Sequence, residues 1–443
     1  LKAFILVVVF MAAGLLLYPG DPVETLDIQK AIQRALENNK NILISREEVK
    51  QYRYRLRQNL GFLPDVTLQG TKNLDEKLMR IEMPPLIPGG PPQVFSLDFT
   101  KNYEFTLQAV QPLFAGGRIL YSYKNARLDL QIAREKKNNT EKDVILQVKK
   151  VFFNILVLKE LLNAHNDALH VAETNYKNIR ENLELGMASK YDLLRAELAV
   201  ASIKPNILSV QKLLDLSLLN LKFMTGFPAD TPVETAGELE YSIKPLETAQ
   251  LVKHALTSRS EILRMQMEIK KTANFLRMAY GQFLPDISLV AAYSYRADFF
   301  NLRKNNWEDY YTVNLGIRFP IFQQFKRTAR VGELNVMKKI LNLNYEQLKE
   351  ATELEVRKLV MTMEEEYQNI LAGLKNIETA KEGLRIAKLT YNEGLITILE
   401  LNTSTNDLTK AKVNFFQAVY NYNIAAAELE KISGVKINDG EVQ

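Results

Sequence analysis

Asp192 and Glu400 are the acidic side chains whose placement suggests a task, because each stands six residues beyond a glycine, Gly186 or Gly394, at sites 208 residues apart. A carboxylate just after a turn caps the free amides of the next helix and complements its dipole. Several such carboxylates gathered by symmetry around one narrow opening would also attract cations and raise one another's pKa. Other chemistry is poorly supplied. There are three histidines, His165, His170 and His254, and no cysteine, which removes thiolate, disulfide and Cys-zinc chemistry and lipid attachment at an N-terminal cysteine. No phosphate loop, metal cluster or nucleophile triad is present, and Gly116-Gly117 is too short to cradle a phosphate. No catalytic, cofactor-binding or metal site is expected.

The elements that must position the two carboxylates are long. From Val144 the apolar residues step by fours and threes through Val148, Val151, Ile155, Leu158 and Leu162, and His165 fills a seam position of the same series, which runs to Leu183. That heptad marks a helix packed in coiled-coil fashion, with His165 as a packing residue. Adding 208 keeps the phase through Val356, Leu359, Met363, Ile370, Leu384 and Tyr391, with Thr352, Glu366 and Gly373 as exceptions. About 70 residues at 1.5 Å each give a rod of roughly 105 Å. Each long helix ends at Gly186 or Gly394, and a shorter one follows to about Thr225 or Ser433, so each pair forms a helical hairpin with a tip. A further helix of about 35 residues is expected ahead of each strand region.

This repetition organises the whole chain. Phe62-Leu63-Pro64-Asp65 recurs as Phe283-Leu284-Pro285-Asp286, an offset of 221, whereas Pro112 and Pro320, Phe114 and Phe322, and Gly226 and Gly434 differ by 208. The extra 13 residues of the first copy fall where Met83-Pro84-Pro85 and Pro88 to Pro92 predict a loop. Lys2 followed by the apolar run Ala3 to Leu17 reads as a secretory signal peptide, since it is too short to span a bilayer as a helix. The domain plan is therefore a signal peptide at 1–20, a first repeat at 21–235 and a second at 236–443. With 57 Lys and Arg against 52 Asp and Glu, a formal charge of +5 carries no nucleic-acid footprint.

After each proline-aspartate the period changes to two. One strand is predicted from Ser96 to Ala109, with Leu97, Phe99, Tyr103, Phe105, Leu107 and Ala109 on its apolar face and Lys101 intruding. Tyr311, Val313, Leu315, Ile317 and Phe319 make a second stripe, Ile287, Leu289, Ala291, Tyr293 and Tyr295 a third, and the fourth strand starts near Val66. One apolar and one polar face, with Tyr295, Trp307, Tyr310 and Tyr311 near the ends, describe strands between lipid and water. Four strands cannot close a barrel, so two, three or four chains would have to share one. The rival is an exported coiled-coil scaffold, which needs no lipid-facing stripe.

Over nearly the whole mature chain these features resemble the TolC-type outer-membrane efflux protein family. The duplication carries the resemblance, together with Pro112-Leu113-Phe114 and Gly116-Gly117-Arg118 at a strand-to-helix junction and the stretches Gly186–Asp192 and Gly394–Glu400 at the tips. The resemblance implies a mainly α fold with a transmembrane β-barrel, in which long coiled-coil helices form an α-helical barrel and four strands per chain contribute to a shared β-barrel. It further implies a homotrimer in outer-membrane lipid, extending into the periplasm, where a periplasmic adaptor (membrane fusion) protein and an inner-membrane transporter meet it as part of an efflux or type I secretion system. Gly186, Met187, Ala188 and Ser189, with Gly394, Leu395, Ile396 and Thr397, would be the surfaces offered to the adaptor. Lys190-Tyr191 and Leu399-Glu400 differ between the two. Asp192, Glu400 and Thr403 would line the periplasmic aperture, Thr403 standing where relatives carry a second acid and Ile396 where some carry a latching arginine. The second junction, Pro320-Ile321-Phe322-Gln323-Gln324-Phe325, departs from the pattern in lacking the paired glycines.

Overall fold

A computed structural model describes residues 24–437 apart from 75–77, 86, 88–89, 91–92, 99–102, 242–245, 298–299 and 302–306. The expected signal peptide, 1–20, lies outside the described residues. In chain order the elements are β1 (Glu24–Leu26), α1 (Ile28–Asn38), α2 (Lys40–Gln58), β2 (Asp65–Lys72), β3 (Leu78–Met83), β4 (Gln93–Asp98), β5 (Tyr103–Ala115), α3 (Arg118–Glu184), α4 (Lys190–Thr225), β6 (Val233–Thr235), α5 (Thr248–Ser258), α6 (Ser260–Gly281), β7 (Asp286–Ala297), β8 (Glu308–Arg318), α7 (Lys326–Asn392) and α8 (Ile398–Ser433). The 208-residue offset carries the bounds of α3 onto α7, both 67 residues long, and those of α4 onto α8, both 36.

The chain divides into two compact units, one of residues up to Glu47, Glu135–Leu263 and from Glu346 onward, the other of Glu48–Arg134 and Arg264–Tyr345. In the first unit the heptad seams become two equivalent cores. Val148, Phe152 and Ile155 of α3 pack with Leu214 and Leu221 of α4 and with Ala31 and Ala35 of α1. Val356, Met363 and Ile370 of α7 pack with Val419 and Leu429 of α8 and with Leu251 and Ala255 of α5. Each fully buried branched or aromatic side chain contributes about 1.5–3 kcal/mol of transfer free energy, so the seams hold the hairpins together. The parallel pair β1–β6, three residues a side, was not foreshadowed by any alternation.

The helices expected at about 35 residues are each broken in two. Asn39 and Arg259 take extended backbone between α1 and α2 and between α5 and α6. Neither break has a glycine or proline; side chains hold it instead. Asn39 donates through Nδ2 to the Met224 carbonyl at 3.1 Å and accepts from the Asn41 amide at 3.0 Å. Arg259 donates to Thr352 at 3.0 Å and to Glu355 at 2.7 Å.

The second unit is built on an antiparallel sheet of order β2-β5-β7-β8. Its register stacks Val66, Ala109, Ala291 and Val313 in one row and Leu68, Leu107, Tyr293 and Tyr311 in another, while Thr67, Gln108, Ala292 and Thr312 fill the row between, on the opposite face. The predicted strand Ser96–Ala109 is not one strand. Ser96–Asp98 belongs to β4, which pairs with β3, whereas Tyr103–Ala109 belongs to β5, which pairs with β2 and β7; Phe99 and Lys101 lie outside the described residues. The paired strands β3 and β4 flank the insertion predicted as a loop. From Ile287 to Tyr295 the apolar stripe covers eight residue-to-residue steps, about 27 Å along the strand and roughly 20 Å tall at a barrel-like tilt.

The other face is polar. Arg296 and Glu104 pair at 2.9 Å, Thr106 and Ser294 hydroxyls meet at 2.9 Å, and Tyr310 donates to Glu104 at 3.3 Å. Tyr310 therefore belongs to the polar face, a correction to its expected place among interfacial aromatics. Tyr295 lies on the face of the apolar stripe and stacks on Trp307 at 5.2 Å.

Candidate functional site

Both helical tips close by the same local chemistry. At the first, Gly186 adopts φ +76°, the Met187 amide donates to the Asn182 carbonyl at 2.7 Å and the Gly186 amide to the Leu183 carbonyl at 3.0 Å. At the second, Gly394 adopts φ +77°, with Leu395 donating to Thr390 and Gly394 to Tyr391, both at 2.9 Å. This double closure satisfies the last carbonyls of the long helix and requires a left-handed residue. A capping box then starts each shorter helix, Ser189 with Asp192 and Thr397 with Glu400. The Thr397 amide donates to the Glu400 carboxylate at 2.7 Å, and the Ser189 amide to the Asp192 carboxylate at 3.2 Å.

The two tips are brought together by one apolar cluster. Ile179 and Ala196 of the first hairpin and Leu384, Ala387, Ile398 and Leu401 of the second are buried in it, with Ala188 and Ile396 packed against it. Ile396 thus serves packing, and Ala188 does the same opposite it. Met187 and its counterpart Leu395 are left 70% and 71% exposed. The clearest difference between the tips lies one turn further on. Arg195 donates to the Tyr191 hydroxyl at 2.7 Å and lies over its ring, while the position 208 residues later is Thr403, whose hydroxyl donates back to the Leu399 carbonyl at 2.8 Å. Sequence reasoning passed over Arg195, although the same offset that aligned the glycines also aligns it with Thr403.

The Thr397 amide and hydroxyl hold the Glu400 carboxyl below its ordinary value of 4.5. Burial, and then the charge of Asp192, push the Tyr391 phenol up. Because the folded Glu400 binds its proton less readily than the unfolded chain does, the cap contributes in full above the ordinary carboxyl range and is lost as pH falls through the lowered value. Amide protection factors at Leu399–Leu401 are accordingly expected to fall as the pH drops below the ordinary carboxyl range, relative to the interior of α8. Glu400→Gln should flatten that dependence; an unchanged pH profile in the variant would assign it to another group. His165, in the seam, has its imidazole pushed down by burial.

The second candidate region is the strand-to-helix junction. β5 runs through Pro112 to Ala115, with a register shift between Pro112 and Phe114. Gly116 and Gly117 then take φ +58° and +77°. Arg118 donates to the Ala115 carbonyl at 3.1 Å and pairs with Asp286 at the start of β7. A Cβ on Gly116 would stand 2.1 Å from the Gly281 carbonyl oxygen, and one on Gly281 would stand 2.1 Å from that of Gly116. The second junction makes the same turn without glycine: Gln324 and Phe325, in the positions of Gly116 and Gly117, adopt φ +52° and +59°. Arg327, 7% exposed, donates to the Pro320 carbonyl at 2.7 Å and to the Gln282 carbonyl at 2.9 Å, and Phe322 meets Phe325 edge-on at 5.5 Å.

Comparison with known proteins follows the same outline. The model of a family described as outer membrane efflux protein matches residues 31–227 and 251–435. Antibiotic efflux pump outer membrane protein ArpC of Pseudomonas putida is 22% identical over 402 residues, covering 87% of this chain and 78% of that protein. Outer membrane protein TolC of Escherichia coli is 21% identical over 317 residues, 66% of this chain and 62% of that protein. The solved structure of the outer membrane protein VceC from Vibrio cholerae is similar in fold, with a TM-score of 0.75 over 92% of this chain and 96% of that one at 16% identity.

Proposed function

The chain belongs to the outer membrane efflux protein family, and from that premise we propose that it is the subunit of an exit duct, a homotrimer that passes substrates outward from an inner-membrane transporter coupled to it by a periplasmic adaptor. An outer-membrane efflux channel with an α-helical barrel and a β-barrel is the architecture of its family. The observation that carries the finer reading is the four-stranded sheet. It has a lipid-type face and a polar face, and no described strand pairs with the outer edge of β2 or of β8. Three copies joined edge to edge would give twelve strands with no open edge, which removes the liability an unpaired strand presents.

Tripartite efflux and type I secretion are both served by such a duct, and what it carries depends on the transporter. The tips, with Met187 and Leu395 among their exposed apolar groups, are the surfaces the adaptor would meet. Asp192 and Glu400 would stand near the aperture with Thr403 beside them, capping their helices and supplying negative charge at once. The chain works as a conduit and not as a catalyst.

Conductance of the purified protein in a planar bilayer tests this reading. A small, cation-selective current blocked by a trivalent cation on the tip side is expected. Glu400→Gln should weaken the block while leaving the hairpin folded, because glutamine also serves at this position of a capping box. Unchanged block would remove Glu400 from the aperture. A folded oligomer that carries no current and resists heat no differently from its monomer would favour the scaffold.

A further inference from the structure

The net charge of +5 conceals a concentration of positive charge at one end of the sheet. Four helical stretches of the second unit connect directly to strands there: residues 48–60 lead into β2, 118–134 leave β5, 264–281 lead into β7 and 326–345 leave β8. The register puts all four at the same end, since Asp65 pairs with Val110, Ala115 with Asp286, and Asp286 with Arg318. Each of the first three stretches carries four Lys and Arg and the last carries five, against one acid in each. Two of the acids, Asp129 and Glu268, both turn to Lys271, and Glu333 pairs with Arg330. Additional copies of the chain would bring the same excess, so assembly within this layer cannot neutralise it.

We propose that this end of the sheet is a collar for anionic phospholipid headgroups in the periplasmic leaflet, a proposal that rests on the outer-membrane reading above. Arg53, Arg55, Arg57, Lys124, Arg277 and Arg330 are exposed and lie within twelve residues of the strand ends along the chain. Several sit over tyrosines: Arg55 over Tyr52 at 5.0 Å, Arg57 over Tyr54 at 5.8 Å, and Lys124 and Arg277 over Tyr121 at 5.2 and 5.4 Å. A ring at the bilayer boundary with a cation above it is the arrangement that puts apolar stem and charged head on the two sides of an interface. Just towards the sheet, Phe62, Leu63, Leu113 and Leu284 are exposed apolar groups, which supplies the acyl-chain side of the same boundary. Among the described residues the opposite end of the sheet has no such excess, carrying Glu104, Glu308 and Asp309 with Arg296 and Lys72. Each basic side chain near an anionic surface is worth about fivefold in binding, within a Debye length.

The single tryptophan makes the test direct. Trp307 reports on the acidic end of the sheet, and Leu63→Trp in a Trp307→Phe background reports on the basic end. Both proteins, as assembled oligomers, are reconstituted with brominated phosphatidylglycerol or brominated phosphatidylcholine. Phosphatidylglycerol should quench the basic-end reporter with an apparent association at least about tenfold that of phosphatidylcholine at low salt. The preference should collapse in 1 M salt, where the Debye length is about 3 Å, and in the combined Arg53→Gln, Arg57→Gln, Lys124→Gln, Arg277→Gln protein. Equal quenching by the two lipids at the basic end, with Trp307 quenched normally, would overturn the collar and leave membrane insertion intact. A combined variant that alters ion selectivity of the pore without changing lipid preference would also overturn it, by assigning these charges to the lumen. Absence of quenching at both reporters would sink the barrel reading itself.

Discussion

Val313→Arg is expected to abolish recovery of assembled oligomer from the outer membrane, while the same change one residue earlier, Thr312→Arg, leaves assembly near that of the unaltered protein. Val313 stands in the row Val66-Ala109-Ala291-Val313, midway along the apolar stripe, and is 64% exposed in the single chain. An arginine on the lipid side of a barrel near the midplane costs about 2–4 kcal/mol per chain, and a symmetric oligomer incurs it once per subunit. Thr312 pairs with Ala292 on the opposite face, where water hydrates a guanidinium. Heat-modifiable mobility of membrane extracts separates the outcomes. Equal tolerance of both substitutions would mean that the face does not meet lipid, and the channel reading would lose its main support.

Among the described glycines, Gly281→Ala and Gly116→Ala should each cost more than any other single added methyl. The Gly116 and Gly281 backbones approach so closely that either new methyl would overlap a carbonyl oxygen, and backbone cannot rotate away as a side chain can. Overpacking of this kind costs about 1–3 kcal/mol, and at Gly116 a left-handed alanine adds roughly 1 kcal/mol more. Gly186→Ala is the control, since it shares the positive φ but has nothing within 4 Å of the new methyl; it should lose only the backbone part. The second junction predicts the opposite sign. Gln324→Gly relieves a left-handed glutamine and should stabilise by about 1 kcal/mol. Thermal unfolding of the extracted oligomer ranks all four, and a Gly281→Ala protein as stable as Gly186→Ala would mean that the junction opens in solution.

How far the sequence spoke depended on whether a feature repeats within a short window. The heptads of α3 and α7 gave helix ends that differ by the same 208 residues as the glycines, because a seam must stay in phase to be buried at all. Asp192 and Glu400 could be read as acids of a helix start because their effect is local, although Ser189 and Thr397, the caps they pair with, stood out only as tip surface. The breaks at Asn39 and Arg259 could not be read this way. Their causes are the Met224 carbonyl and the Thr352 and Glu355 side chains, which are distant in sequence. Alternation likewise carried the apolar face smoothly from Ser96 to Ala109, since period two is the same on both sides of a change of partner strand. The positive φ of Gln324 and Phe325 is a case where composition pointed away from the backbone, and the 208-residue equivalence with Gly116 and Gly117 was the better guide. The basic end of the sheet escaped notice because its four stretches are separated by dozens of residues or more and meet only through the register.

The closure of the tips has a bearing on the order in which the molecule is made. Every bond that ends α3 and begins α4, or ends α7 and begins α8, joins residues no more than five apart. Closing so short a loop takes about 10–100 ns and needs no second chain, so a hairpin can zip from its tip while the polypeptide is still alone and in transit. The edges of β2 and β8 have no such recourse within the described chain. A newly exported subunit would therefore carry finished hairpins and an unfinished sheet, and any factor that escorts it has the sheet edge, rather than the helices, to shield.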